Sequence, residues 1–364
     1  MLTKCHDGHG SRYSPGTKRA GLFLAMLALF ACSRPRDVQV GKSSPATLPV
    51  KGESPPTAAP KEMVWIAGGA FLMGSNHGNL NERPVHEASV GGFWMDVHEV
   101  TNGQFADFVR ATHYVTLVEQ KPKTADFPGV PAENLVAGAL VFHSPAHPVS
   151  LKDYRQWWSY VPGANWRHPE GPSTSIRGKE KYPVVDVAYE DAEAYCRWAE
   201  KRLPTEAEWE FAAYGGGGHT TYVWGNEAKH QHEAVANIWQ GRFPDLNTRQ
   251  DGYYGTAPVA SFHANGYGLY DMAGNVWEWT SDLYQPASDQ QDPSTDPNQP
   301  PITPGSEQRV IKGGSYLCND SYCSGFRPSA RMASEAGAGQ CHVGFRCVKP
   351  RSEIVTSADQ SLTH

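Results

Sequence analysis

Cys318 and Cys323 stand five residues apart in the stretch 312–331, KGGSYLCNDSYCSGFRPSAR, whose composition suits neither helix nor strand and which Gly313, Gly314 and Gly325 bracket. Two thiols at this spacing have three chemistries open to them: a disulfide, half of a tetrahedral zinc site, or a redox or soft-metal pair. Zinc needs two further ligands at short spacing, and Cys341, His342 and Cys347 are the nearby candidates. Spacing alone leaves all three open. A second group of residues carries hard oxygen donors. Asp251 sits in a Gly-flanked turn fourteen residues after Asn237, and Asp271, Asn275 and Glu278 crowd one loop. No simple calcium-loop pattern fits them, so by spacing they read as solvated loop carboxylates. A third group, Trp166, Arg167 and His168, is dense in aromatic and cationic side chains. Its plain reading is a tryptophan packed under a loop.

The elements that must position these groups are short. The run MVWIAGGAFLMGS (63–75) alternates apolar and small residues as an opening strand and turn would. In 101–110, Phe105, Phe108 and Val109 fall at i, i+3, i+4 behind Thr101 or Asn102 as a cap, which predicts an amphipathic helix with its aromatics in the core. Residues 119–150 carry little periodicity and prolines at 122, 128 and 131, and read as a long surface excursion. Ala192, Tyr195, Cys196 and Ala199 share one face of a helix over 191–201, so the Cys196 thiol points inward. Thr205 with Glu208 forms a capping box that opens a second helix over 206–214, which Gly215 to Gly218 stop.

Thirty-six glycines, 28 prolines and 11 tryptophans in 364 residues suggest a loop-rich globular fold held by aromatic packing. A net charge of −6 without a basic stripe argues against nucleic acid as a partner. Lys18 and Arg19 precede the twelve apolar residues Ala20 to Ala31, too few to span a bilayer and fitting for an export signal. Leu29-Phe30-Ala31-Cys32 follows as a lipobox, with ordinary cleavage near Ala31 as the alternative. Cleavage would remove four cationic residues and one acid, taking the charge from −6 to −9. Residues 33–61, rich in Pro, Ser, Thr and Lys, read as a tether, and 351–364 as a tail. Of seven cysteines, Cys5 and Cys32 fall in the leader, leaving the odd number of five.

Beyond the cysteine loop, the motifs MVWIAGGAFLMGS (63–75), FWMDVHEVTNGQF (93–105), GANWRHPEGP (163–172), AYCRWAEKRLPTEAEWEFA (194–212), ANIWQGRFP (236–244), NGYGLYDMAGNVWEWTSD (265–282) and GFRC (344–347) stand in one order over about 62–350. In this the chain resembles the formylglycine-generating enzymes, the sulfatase-modifying factors. The resemblance implies a single compact α+β domain with little regular secondary structure and a C-type-lectin-like fold. It implies oxidation of the cysteine in a Cys-x-Pro-x-Arg segment of an unfolded sulfatase to Cα-formylglycine, with copper(I) on Cys318 and Cys323, dioxygen as co-substrate and a thiol reductant. By the same resemblance Ser315 and Trp277 line the pocket, and Trp166, Arg167, Tyr322 and Arg331 bind substrate. One calcium takes Asn237, Ile238, Asp251 and Tyr253, a second takes Asp271, Gly274, Val276 and Glu278, and Cys196 bridges Cys347. Asn319 stands where the vertebrate motif has histidine, and Ala213 and Pro328 stand at the positions of a second bridge. The enzyme would be an exported monomer, periplasmic or membrane-tethered through a lipid on Cys32. The rival reading is a non-catalytic, calcium-binding, lectin-like lipoprotein in which Cys318–Cys323 is a permanent disulfide. An iron-dependent sulfoxide synthase would need a His-x-x-x-His-x-Glu arrangement, which the sequence lacks.

Overall fold

Residues 59–124, 129–285 and 306–351 are described by the computed structural model of the chain. The export signal, the lipobox, nearly all of the tether and 352–364 of the tail lie outside the described residues. In chain order the strands are β1 (Met63–Ile66), β2 (Gly69–Met73), β3 (His86–Val90), β4 (Phe93–Asp96), β5 (Gly138–Phe142), β6 (Trp158–Pro162), β7 (Trp277–Leu283), β8 (Gln308–Lys312), β9 (Arg331–Glu335), β10 (Val343–Gly344) and β11 (Val348–Pro350). The helices are α1 (Asn102–Thr112), α2 (Tyr189–Trp198) and α3 (Glu206–Ala213). None is long and apolar enough to cross a membrane.

Capping chemistry starts two of the helices where the sequence predicts. Thr101 Oγ1 accepts from Gln104 N–H at 3.2 Å while Gln104 Oε1 accepts from Thr101 N–H at 2.9 Å. Thr205 and Glu208 repeat the exchange at α3. The α1 aromatics Phe105 and Phe108 are buried, with Phe105 edge-on to Trp166 and Phe345.

The sheet order β10-β7-β8-β9 places β7 and β8 inside, and α3 lies against both. A second sheet, β1-β4-β11, joins the first strand of the domain to the last through Phe93–Asp96. Residues 119–150 are not a surface excursion throughout. Gly138–Phe142 forms β5, paired with β6 and largely buried. The prolines mark loop only as far as 131, and the apolar run GALVF behind them needs a partner to cover it.

Candidate active site

The loop between β8 and β9 is pinned at both ends to α3. Lys312, fully buried, pairs with Glu210 at 2.8 Å, and Arg331 holds Glu206 through Nε and Nη2 at 2.8 and 2.9 Å. Gly314 turns the chain at φ +72, and a Cβ there would lie 2.6 Å from Phe326 N, so only glycine lets the two arms of the loop close. Within the loop Asn319 acts as a staple. Its Oδ1 accepts from the Ser321 and Tyr322 amides, and its Nδ2 donates to Gly241 O. Cys323 N–H donates to Asn319 O, and Trp239 N–H to Cys318 O. Asn319 therefore shapes the loop rather than facing a reactant.

These bonds bring the two cysteines together, with Cα atoms 4.6 Å apart and the sulfurs joined as a disulfide. Cys318 is 1% exposed and Cys323 is half-buried, so approach from solvent is through Cys323. Gly325 marks where Trp277 belongs: a Cβ on it would collide with the indole ring and lie 3.2 Å from Cys323 Sγ. Ser315 is fully buried, and its Oγ accepts from Leu317 N–H while its carbonyl accepts from Cys318 N–H. Tyr322 stacks on Phe243 with centroids 3.8 Å apart and meets Trp157 edge-on. Reduced, the pair would offer two thiolates, a donor set that fits a soft cation such as copper(I).

The remaining expected site residues are placed elsewhere. Trp166 is 2% exposed, between Phe105 and the Arg167 guanidinium, packed with the core aromatics. Arg167 pairs with Glu119 at 2.6 Å and lines a hollow of about 400 Å³ with Val109, His113 and Tyr114. Arg331, expected to bind substrate, is taken by Glu206 and stacked over Tyr284. The zinc alternative does not assemble, since no group of three or more His, Cys, Asp or Glu side chains placed to hold a metal forms among the described residues. Cys341 lies against Phe142 N–H and Tyr316 OH, where burial pushes its thiol up to about 12. Cys347 lies beside Cys196, with sulfurs 2.9 Å apart: the two expected partners adjoin but remain thiols, because an S–S bond is about 2.05 Å long.

Of the two oxygen-donor sets, the first comes together. Asp251 accepts from Tyr253 N–H and, through its backbone surroundings, faces Ile238, while its Oδ2 is buried without a hydrogen-bond partner. Asn237 directs its amide nitrogen to Gly255 O and Asn275 Oδ1, leaving the amide oxygen as a ligand. A buried carboxylate oxygen without a hydrogen-bond partner is a donor of the kind a hard cation takes.

In the second set Glu278 is engaged by a protein cation. Both Glu278 oxygens accept from Arg346 at 2.7 Å, one also from Trp209 Nε1 at 2.8 Å, and acid and guanidinium are wholly buried. Three of the lone pairs of this carboxylate are therefore taken, and its charge is balanced by a buried guanidinium. The orphaned oxygen there belongs to Glu99, whose carboxyl is pushed well up by burial and then by neighbouring Asp271. Reading the sequence did not single out Glu99, because a lone acid in FWMDVHEVTNGQF carries no spacing signal.

The profile of the sulfatase-modifying factor enzyme 1-like domain matches residues 50–351. The formylglycine-generating enzyme of Mycobacterium tuberculosis (strain ATCC 25618 / H37Rv) is 48% identical over 292 residues, 79% of this chain and 97% of that protein. That of Mus musculus is 42% identical over 309 residues, covering 84% and 79%. The inactive C-alpha-formylglycine-generating enzyme 2 of Mus musculus is 39% identical over 301 residues, covering 80% and 88%. Among solved structures, PvdO from Pseudomonas aeruginosa has a TM-score of 0.53 at 22% identity, covering 82% of this chain and 99% of its own, a likeness of fold. With its loop, its sheet order and these matches over most of its length, the chain belongs to the family of sulfatase-modifying factor enzyme 1-like domains.

Proposed function

We propose that this protein is a formylglycine-generating enzyme that oxidises the cysteine of a Cys-x-Pro-x-Arg segment in unfolded sulfatases, using copper and dioxygen. The observation that carries the reading is the cysteine pair itself: one sulfur buried, the other open, beside Trp277 and Ser315 in a loop fixed by Asn319. A thiol reductant opens the disulfide, supplying two electrons and two protons, and leaves two sulfur ligands with room for the substrate thiol. Copper held there supplies the one-electron chemistry that activates dioxygen. The protein's own contribution is placement: Cys318 anchors from the dry side, Cys323 faces the incoming chain, and Trp277 walls the site from water.

The test is mass spectrometry of a Cys-x-Pro-x-Arg peptide incubated with the reduced enzyme, copper and a thiol. Aldehyde should form, and copper removal should abolish it. Full activity in copper-free enzyme would overturn the reading. A second reading, a non-catalytic binding protein, draws support from the Cys318–Cys323 bond and from the inactive relative at 39% identity. It requires that thiols leave the bond intact and that no aldehyde form.

Calcium at Asn237, Ile238, Asp251 and Tyr253 is a stabilising element of the same proposal, since Asp251 lies in a supporting loop. A strong calcium chelator should lower Tm, and an unchanged melting curve would remove the ion from the scheme. The run read as an export signal and the lipobox cysteine Cys32 support the same proposal with the enzyme outside the cytoplasm, tethered by lipid with residues 33–61 giving reach, where it would meet sulfatases before they fold. Fractionation of the protein as a cytosolic species retaining residues 1–31 would refute this placement.

A further inference from the structure

The acids hydrogen-bonded to the 312–331 stretch are matched by cations with one exception. Glu82 is held by Arg327, Glu206 by Arg331, and Glu210 by Lys312. Asp320, midway between the two cysteines, pairs with neither lysine nor arginine among the described residues. Its carboxylate accepts from His230 Nε2 at 3.0 and 3.1 Å and from Gln231 Nε2 at 3.0 Å, and half of the side chain, 49%, faces solvent. The His230 ring is buried and wedged against Phe326, Tyr222 and Trp224. Asn319 fixes the turn on the other side. The carboxylate is thus held in one place, open on one face and short of a permanent cation.

We propose that Asp320 receives the arginine of the Cys-x-Pro-x-Arg segment and sets the preference for that side chain. This rests on the proposed reaction, and the distances agree with it. Asp320 is three positions from Cys323, within about 10 Å at full extension, while the substrate's arginine is four positions from its cysteine, at most about 13 Å when extended. A substrate thiol at Cys323 therefore leaves its arginine within reach of this carboxylate. The guanidinium would find an acceptor already oriented by His230 and Gln231, which limits the ordering cost of binding.

The experiment compares peptides carrying Arg, Gln or Glu at the last position of the segment. Wild type should favour Arg over Gln about tenfold in KM. Asp320→Asn, which keeps the shape and hydrogen bonds, should reduce that preference to near unity, and Asp320→Lys should favour the Glu peptide. An Arg preference that survives Asp320→Asn overturns the proposal. So does an equal rise in KM for all three peptides, which would mark Asp320 as a brace for the loop. Fluorescence anisotropy of labelled peptides with Ser in place of the target Cys reads the same preference without turnover. If the wild type makes no aldehyde, the proposed reaction fails, and the anisotropy ratio still decides Asp320. Absence of any Arg preference in wild-type binding also overturns it.

Discussion

Two pairs of cysteines sit in this domain under opposite conditions. Cys318 and Cys323 are five residues apart, and their geometry is made by loop hydrogen bonds, with Cys323 only partly buried. Cys196 and Cys347 are 151 residues apart, one on α2 and the other just before β11, both buried among Tyr195, Phe345 and the Asp96–Lys201 ion pair. Burial, and then the contact with Cys196, push the Cys347 thiol well above its ordinary range. The same functional group is partly open to solvent where a loop carries it and closed off from solvent where elements converge on it. Sequence spacing does not determine which.

The largest effect expected from this contrast is on turnover. Cys323→Ser should lower aldehyde formation by about 10⁴-fold, ~5.5 kcal/mol in the barrier, while Cys196→Ser should leave it within an order of magnitude. Equal losses from the two variants, measured on the peptide, would erase the distinction.

The next effect is on stability. In a Cys318→Ser, Cys323→Ser background a mild oxidant should join Cys196 to Cys347, closing a very long loop and raising stability by about 4 kcal/mol. Denaturant unfolding with and without reductant reads this, and Cys347→Ser should abolish the response. Insensitivity to oxidant in the parent background would show that the two thiols are held apart.

The smallest effect concerns the segment that joins the pairs. His342 lies between Cys341 and Cys347, its backbone carbonyl accepts from Trp277 N–H, and burial holds its ring down to about 3. A base whose folded pKa is depressed stabilises fully above its unfolded value near 6.5, and that stability is lost as pH falls toward the folded value. Asp191, pushed up to about 6 by burial, acts in the opposite sense: its stability is present at low pH and lost as pH rises. The difference between wild type and His342→Asn isolates the histidine. Between pH 6.5 and 5 the wild type should lose about 2 kcal/mol that the variant keeps. Parallel stability curves would place the imidazole in contact with water.

Local chemistry was readable from the sequence wherever partners lie within a few residues. Thr101 with Gln104, Thr205 with Glu208, the inward face of α2 and the cysteine loop are such cases. What could not be read depends on distant partners. Glu278 carries no local sign that Arg346, 68 residues on, engages both its oxygens. Nor does Trp166 show that Phe105 packs against it. β5 hid behind prolines that ended seven residues before it began. Asp320 was invisible because its distinction is the absence of a cation among neighbours that all have one.

Because Val348–Pro350 pairs with Phe93–Asp96, which pairs in turn with Met63–Ile66, the β1-β4-β11 sheet lacks its third strand until residues 348–350 exist. A ribosome delivers that strand last. Throughout synthesis, therefore, β4 carries an unpaired edge, and Cys347 and Arg346 are not yet there to meet Cys196 and Glu278. A chain that stops short of Val348 would lack these partners and leave the β4 edge open to other strands and to proteases.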